Sequence, residues 1–375
     1  MTMDNGTSAP RSIQRVVALL ACAMIFACTT GSQAIFASGT GAPWKRIRLK
    51  ESPVWISSAE WADKFKSILL VDPIKKELIL IAPDGMTKRV SGEKFGNLER
   101  LQPLAVNKVG GEFFLKLPGA RTERLDSMLL PKGEVALSAS EATGGIASLY
   151  QWTSNGKSVF GYGPVFRNGS SDFTIGFFRS PLEKPSNVTF FSEFEDADYY
   201  VIGFPFITSV GDSFFYVAMR YNYKPSLFRV DAGSKEPFPL DALRVSLNKT
   251  LPVQTSMDGA GTVAQLFREL EGYDTPAGLF SQDGFLYLLT RSPESNQGTA
   301  WKLHKIDPSG RGNVIGSIQL PTTANFLSVV TSPDNWYFIE RKEVQEGSRQ
   351  DIPSMIVIES SVIRNLRELS RNPQR

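Results

Sequence analysis

The chain has 375 residues, of which 42% are apolar, 21% charged and 11% aromatic. That composition is ordinary for a globular protein and excludes a disordered or collagen-like chain. A net charge of +3 lacks the basic excess that marks nucleic-acid binding. Two cysteines and one histidine exclude a disulfide framework, a Cys-rich zinc site and any metal centre built on several histidines. At roughly 150 residues per domain the length suggests two or three domains, and it equally permits one large all-β domain.

Residues 1–15 are polar and carry Arg11 and Arg15. An apolar run follows from Val16 to Ala27. A membrane-spanning helix needs about 20 residues, so this run is too short. A positive segment followed by a short apolar core is the pattern of a secretory signal. Ile25-Phe26-Ala27-Cys28 resembles a bacterial lipobox, with Phe26 where the pattern has a small residue. The resemblance implies a signal peptide over 1–27 and a lipidated Cys28. Leu19-Leu20-Ala21-Cys22 also fits, with a much shorter apolar core. The alternatives are plain cleavage after Ala34 or Ala37, and an uncleaved anchor. All of them place the body outside the cytoplasm, in the periplasm or envelope, or secreted. Residues 28–43 read as a linker.

Beyond Ala42 the text is short β runs broken by Gly, Pro, Asn and Asp. Such spacing predicts a sandwich, a barrel or a propeller. One unit recurs: a turn signal, then a dense apolar-aromatic run. It reads Gly110-Gly111-Glu112-Phe113-Phe114, Ser171-Asp172-Phe173, Gly211-Asp212-Ser213-Phe214-Phe215, Gln282-Asp283-Gly284-Phe285 and Pro333-Asp334-Asn335-Trp336, with a weaker copy at Ser67-Ile68-Leu69-Leu70. A second unit, a strand closed by a tight turn, follows most of these copies. It ends at Gly85, Gly156, Gly233 and Gly310, where glycine supplies the positive φ of a hairpin turn. The first unit recurs at intervals averaging about 56 residues, near the size of a four-stranded propeller blade.

On these paired units the body resembles the bacterial six-bladed β-propellers of the NHL-like class, over nearly all of residues 44–360. A pair of β-sandwiches would leave six copies of one unit unexplained. The fold expectation is therefore all-β: six four-stranded antiparallel blades in one domain, 44–360. Trp44–Leu49 alternates as a strand should and is expected as the outer strand of the last blade, which would close the ring. Val263, Leu266, Phe267 and Leu270 share one helical face inside a long insertion, and Val362, Ile363, Leu366 and Leu369 do the same in a C-terminal helix or tail, 361–375.

Propellers of this class bind ligands on the face that carries the loops from second to third strands. Arg179, Arg220 and Arg291 each follow the first aromatic of their copy by the same spacing, and Arg341 nearly so. Pseudo-rotation would set the four around one rim, where guanidinium forks suit an anionic ligand or an acidic partner. The plainer reading is that Arg ends exposed strands because it snorkels. Propeller lactonases of the resembled class hold calcium with Asp, Glu and Asn at the pore. The carboxylates to consider here are Asp72, Asp196, Asp198, Asp258 and Asp274, but no aligned set stands out, so no metal site is assigned and no cofactor is expected. His304 falls on a third strand, away from the pore, which argues against a catalytic triad or a histidine base. No Gly-x-Ser-x-Gly or phosphate-loop motif occurs.

The resulting expectation is an exported, lipid-anchored propeller with no assigned catalytic residue. It acts as a binding or scaffold module for an envelope protein, peptide or glycan, touches the membrane only through its anchor, and does not bind nucleic acid. The alternative is a calcium-dependent hydrolase or lactonase with its site at the pore.

Overall fold

A computed structural model describes residues 42–50, 56–118, 121–135, 145–146, 151–155, 157–166, 173–181, 187–194, 206–218, 225–234, 236–247, 272–294, 298–341 and 353–366. Cys28 and the segment 263–270 lie outside the described residues.

Strand β1 (Trp44–Arg48) belongs to the last sheet and is taken up there. The first blade is β2 (Ser58–Ala62), β3 (Ser67–Asp72), β4 (Glu77–Ile81) and β5 (Thr87–Arg89). The second is β6 (Ala105–Val109), β7 (Glu112–Lys116), β8 (Thr122–Leu125) and β9 (Pro131–Glu134). In the third, a split inner strand, β10 (Gly145–Ile146) and β11 (Gln151–Ser154), pairs with β12 (Ser158–Phe166), followed by β13 (Phe173–Pro181) and β14 (Thr189–Phe194). The fourth is β15 (Phe206–Val210), β16 (Ser213–Ala218), β17 (Ser226–Val230) and β18 (Phe238–Leu240). The fifth is β19 (Thr275–Gln282), β20 (Phe285–Glu294), β21 (Gly298–Asp307) and β22 (Asn313–Gln319). The sixth is β23 (Phe326–Thr331), β24 (Asn335–Arg341), β25 (Ser354–Glu359) and β1. All pairings are antiparallel, and the six blades form a propeller ring.

The dense apolar runs have a packing cause. A second strand is buried on both faces, because each face meets a neighbouring blade. In β3, Leu69 and Val71 pack toward the second blade with Val106, Phe113 and Leu115. Their neighbours Ile68 and Leu70 point the other way, onto Tyr337, Ile339 and Met355 of the sixth. Alternation across the pleat therefore gives a continuous apolar run rather than an alternating one. Each such side chain taken out of water stabilises the ring by about 1.5–3 kcal/mol.

Ring closure follows the sequence expectation. β1 pairs antiparallel with β25, Arg46 opposite Ile356, so one blade is built from both ends of the body. Arg46 donates to the buried Glu340 of β24 at 3.0 Å and to the Pro321 carbonyl at 2.6 Å. Lys50 N–H donates to the Gly85 carbonyl at 3.1 Å, which ties the strand's end to the first blade. Gly85 has φ +85°, and a Cβ there would sit 2.6 Å from the Arg48 carbonyl oxygen.

One expectation is corrected. The run at Phe173 is not a second strand. β13 is third in its sheet, and the second strand is β12, which begins Ser158-Val159-Phe160. The preceding unit, Leu149–Gly156, supplies the inner strand β11 rather than a third strand. The slip arose because β12 and β13 are both buried apolar-aromatic strands, so composition does not tell them apart. Counting Phe160 in place of Phe173 also evens the repeat intervals.

Among the described residues two short α-helices accompany the blades. Helix α1 (Ala242–Ser246) was not anticipated from the sequence. Helix α2 (Ser360–Arg364) falls at the start of the segment expected as a C-terminal helix or tail, and Ile363 and Leu366 are buried against the fifth and sixth blades. Leu369 lies outside the described residues.

Candidate functional site: the central channel

Six inner strands, β2, β6, β11, β15, β19 and β23, surround a cavity of about 560 Å³ on the ring axis. Their side chains alternate between the two flanking blades, so polar groups at the rim of each pleat meet across the gaps. The Ser58 hydroxyl accepts from Val106 N–H at 2.6 Å. With its amide oriented by its neighbours, Asn107 accepts from the Trp152 indole N–H at 2.9 Å. Thr153 and Ser209 hydroxyls meet at 3.5 Å, and Thr208 donates to Ser281 at 3.0 Å. Gln282 then donates to the Ser332 carbonyl at 3.2 Å. A belt of hydroxyls and amides thus links blade to blade around most of the axis.

Among the described residues three ionisable groups line the channel: Glu60, Lys108 and Lys116. Glu60 sits at the middle of β2. Its side chain is half-buried in the channel wall. Burial pushes its pKa up to about 7, against the opposing pull of the Lys108 backbone N–H and ammonium. The Lys108 ammonium is itself engaged elsewhere, 2.6 Å from Asp63 Oδ2 and 2.9 Å from the Trp61 carbonyl. Burial pulls the Lys116 ammonium below its ordinary pKa. Phe114 meets Trp152 edge-on at 4.8 Å on the same side.

The four sequence-predicted arginines do not form one set. Arg291 lies on β20 opposite Thr275, the first residue of its inner strand. Arg341 lies on β24 opposite Phe326, again the first residue of an inner strand. These two backbone positions are equivalent and share one end of the ring. Arg179 is on a third strand, opposite Phe160 near the start of β12, and so lies toward the other end. Its guanidinium covers the Phe191 ring at 5.6 Å. Arg220 lies outside the described residues.

Of the carboxylates, Asp72 is buried and caps its own turn, accepting from Ile74 and Lys75 N–H at 3.1 Å each. Asp274 is buried. Asp196, Asp198 and Asp258 lie outside the described residues. Among the described residues no group of three or more His, Cys, Asp or Glu could hold a metal ion. His304 lies on the third strand β21, its ring nitrogens 3.0 Å from the Thr290 hydroxyl and 2.8 Å from that of Ser317. Burial lowers its pKa to about 4. Sequence reasoning missed Glu60 because one Glu in a strand of mixed polarity, Ser58-Ala59-Glu60-Trp61-Ala62, carries no signal until six inner strands converge on an axis.

No protein-family model matches the sequence, and no curated protein does. Solved structures do match. A DUF4221-family protein from Bacteroides vulgatus is 11% identical with a TM-score of 0.51, over 84% of this chain and 95% of that one. A gluconolactonase from Xanthomonas campestris is 10% identical with a TM-score of 0.46, over 84% of this chain and 90% of that one. At such identities the likeness is one of fold, and fold does not carry function.

Proposed function

We propose that this protein is an exported binding module of the cell envelope that takes a polar ligand, part of a peptide, glycan or envelope protein, into its central channel. One observation carries this reading: all six inner strands converge on a single cavity of about 560 Å³ walled by hydroxyls, amides and aromatic rings. Aromatic faces with a few placed polar groups are the usual make-up of a small-ligand site. The calcium-dependent hydrolase has less support, since it needs several converging oxygens and Glu60 is the one carboxylate among the described lining residues. Within the proposal, Cys28 carries the lipid, and the rim end shared by the backbone positions of Arg291 and Arg341 meets an acidic partner surface.

The test is titration of the purified chain with defined peptides and oligosaccharides. It is repeated with Ser328→Trp, which fills the channel from β23. Saturable binding lost in the filled variant supports the reading. Binding that survives filling moves the site elsewhere, and calcium-dependent lactone hydrolysis lost on filling would favour the enzyme. Cys28→Ala should release the protein from membranes, and lipid incorporation in the wild type should vanish with it.

A further inference from the structure

The channel is two-sided. The ionisable and amide groups of its described lining, Glu60, Asn107, Lys108, Lys116 and Gln151, all come from the first three blades. The last three blades contribute hydroxyls and an apolar wall that includes Phe206, Ala277, Phe280, Leu327 and Val329. In a six-fold ring the first blade faces the fourth, so Glu60 looks across the axis at the apolar half.

Glu60 retains binding capacity. An ionised carboxyl offers about four acceptor positions. The described donor to it is the Lys108 backbone N–H. The Lys108 ammonium hydrogen-bonds Asp63 and the Trp61 carbonyl, so it acts on Glu60 through space and leaves the carboxyl's acceptor positions open. Lys116 stands opposite Ala105, at the first residue of β6 and hence toward the channel mouth rather than beside Glu60. Two indole rings, Trp61 and Trp152, line the same half as Glu60.

We propose that the channel binds an organic ammonium: a primary amine on an apolar body, its charge on Glu60 and its body against the wall of the fourth to sixth blades. This rests on the channel being a binding site. A desolvated carboxyl is costly to ionise alone, and a bound ammonium offsets that cost by ion pairing within the same low-dielectric space. Aromatic faces add to the attraction for a cation. Burial holds the Glu60 pKa up at about 7, and an ammonium bound beside it would lower that value by favouring the ionised form.

The experiment titrates the purified full chain at pH 8 with hexylammonium, 1-hexanol and hexanoate, which share a body and differ in charge. The expected result is a preference of at least about tenfold for hexylammonium, a charge-assisted interaction of ordinary size. Glu60→Gln, whose fold is checked by circular dichroism and thermal melting, should reduce that preference to about threefold or less. Equal or tighter binding of hexanoate, no binding of hexylammonium, or a preference that survives Glu60→Gln overturns the proposal. If all three bind equally and Ser328→Trp abolishes them all, the ammonium inference fails and the channel reading stands. If peptides and oligosaccharides bind but Ser328→Trp leaves them bound, the channel reading itself fails.

Discussion

The Trp61 indole lies on the Tyr337 ring, centroids 5.4 Å apart and planes 10° from parallel. Trp61 is on the inner strand of the first blade and Tyr337 on the second strand of the sixth. The contact therefore crosses the interface between the last blade and the first. At this seam two aromatic rings meet face to face, as Phe160 and Phe214 do at 4.7 Å between the third and fourth blades. Stacked pairs contribute about 0.5–1.5 kcal/mol beyond area burial.

Tyr337→Ala should cost about 3–5 kcal/mol, as loss of a buried aromatic does. Trp61→Ala should cost less, because the indole is partly exposed in the channel. A double-mutant cycle in urea should show coupling of about 0.5–1.5 kcal/mol. Coupling near zero would mean that the surrounding apolar contacts of Ile68 and Leu70 with the sixth blade, not this stack, hold the seam.

Arg46→Ala leaves the Glu340 carboxylate buried with the Ser354 hydroxyl as its remaining described side-chain partner. The expected loss is about 1–3 kcal/mol, limited because Arg46 is itself half exposed. Adding Glu340→Gln removes the stranded charge and should recover at least half of it in the same denaturation assay. No recovery would show that packing of the Arg46 stem, not its charge, is what matters.

Gly85→Ala should loosen the closing strand before it unfolds the ring. The residue needs a positive φ, and its Cβ would press on the Arg48 carbonyl and Ile47. A loss of about 1–3 kcal/mol is expected. Hydrogen exchange should quicken first at the amides of Trp44–Arg48; uniform quickening throughout the ring would contradict this order.

Stability should depend on pH with opposite signs at two sites. His304 has a pKa of about 4 when folded and about 6.5 when unfolded, so the unfolded chain binds the extra proton between those values. Its contribution is full above pH 6.5 and is lost as pH falls toward 4. Glu60 rises to about 7 from an ordinary value of 4.5, so here the folded chain holds the extra proton. Its effect is a loss of stability as pH climbs from 4.5 through 7. In melting curves from pH 4 to 8, His304→Asn should flatten the acid limb. Glu60→Gln should raise stability at pH 8 by about 1–2 kcal/mol, less than the full shift because channel water screens the carboxylate.

The blades were legible where burial is strongest. Runs such as Ile68-Leu69-Leu70-Val71 and Trp336-Tyr337-Phe338-Ile339 must be apolar at every position, since both faces meet another blade. The turn glycines were legible for a local reason: Gly85, Gly233 and Gly310 do adopt positive φ. Phase within a blade was less so. β12 and β13 share the same demand, so Phe173 stood in for Phe160 and carried Arg179 to the wrong end of the ring.

What the sequence determines by itself is whatever depends on neighbours along the chain: strand period, turn chemistry, the count of blades, and a first strand free to pair with the last. The channel is of another kind. Glu60, Asn107, Gln151, Thr208, Ser281 and Ser328 come from six different blades, and none is unusual in its own stretch of sequence. Only closure of the ring brings them around one axis and removes Glu60 from bulk water. The pKa that marks Glu60 arises from that enclosure, a property of the assembled walls rather than of any residue beside it.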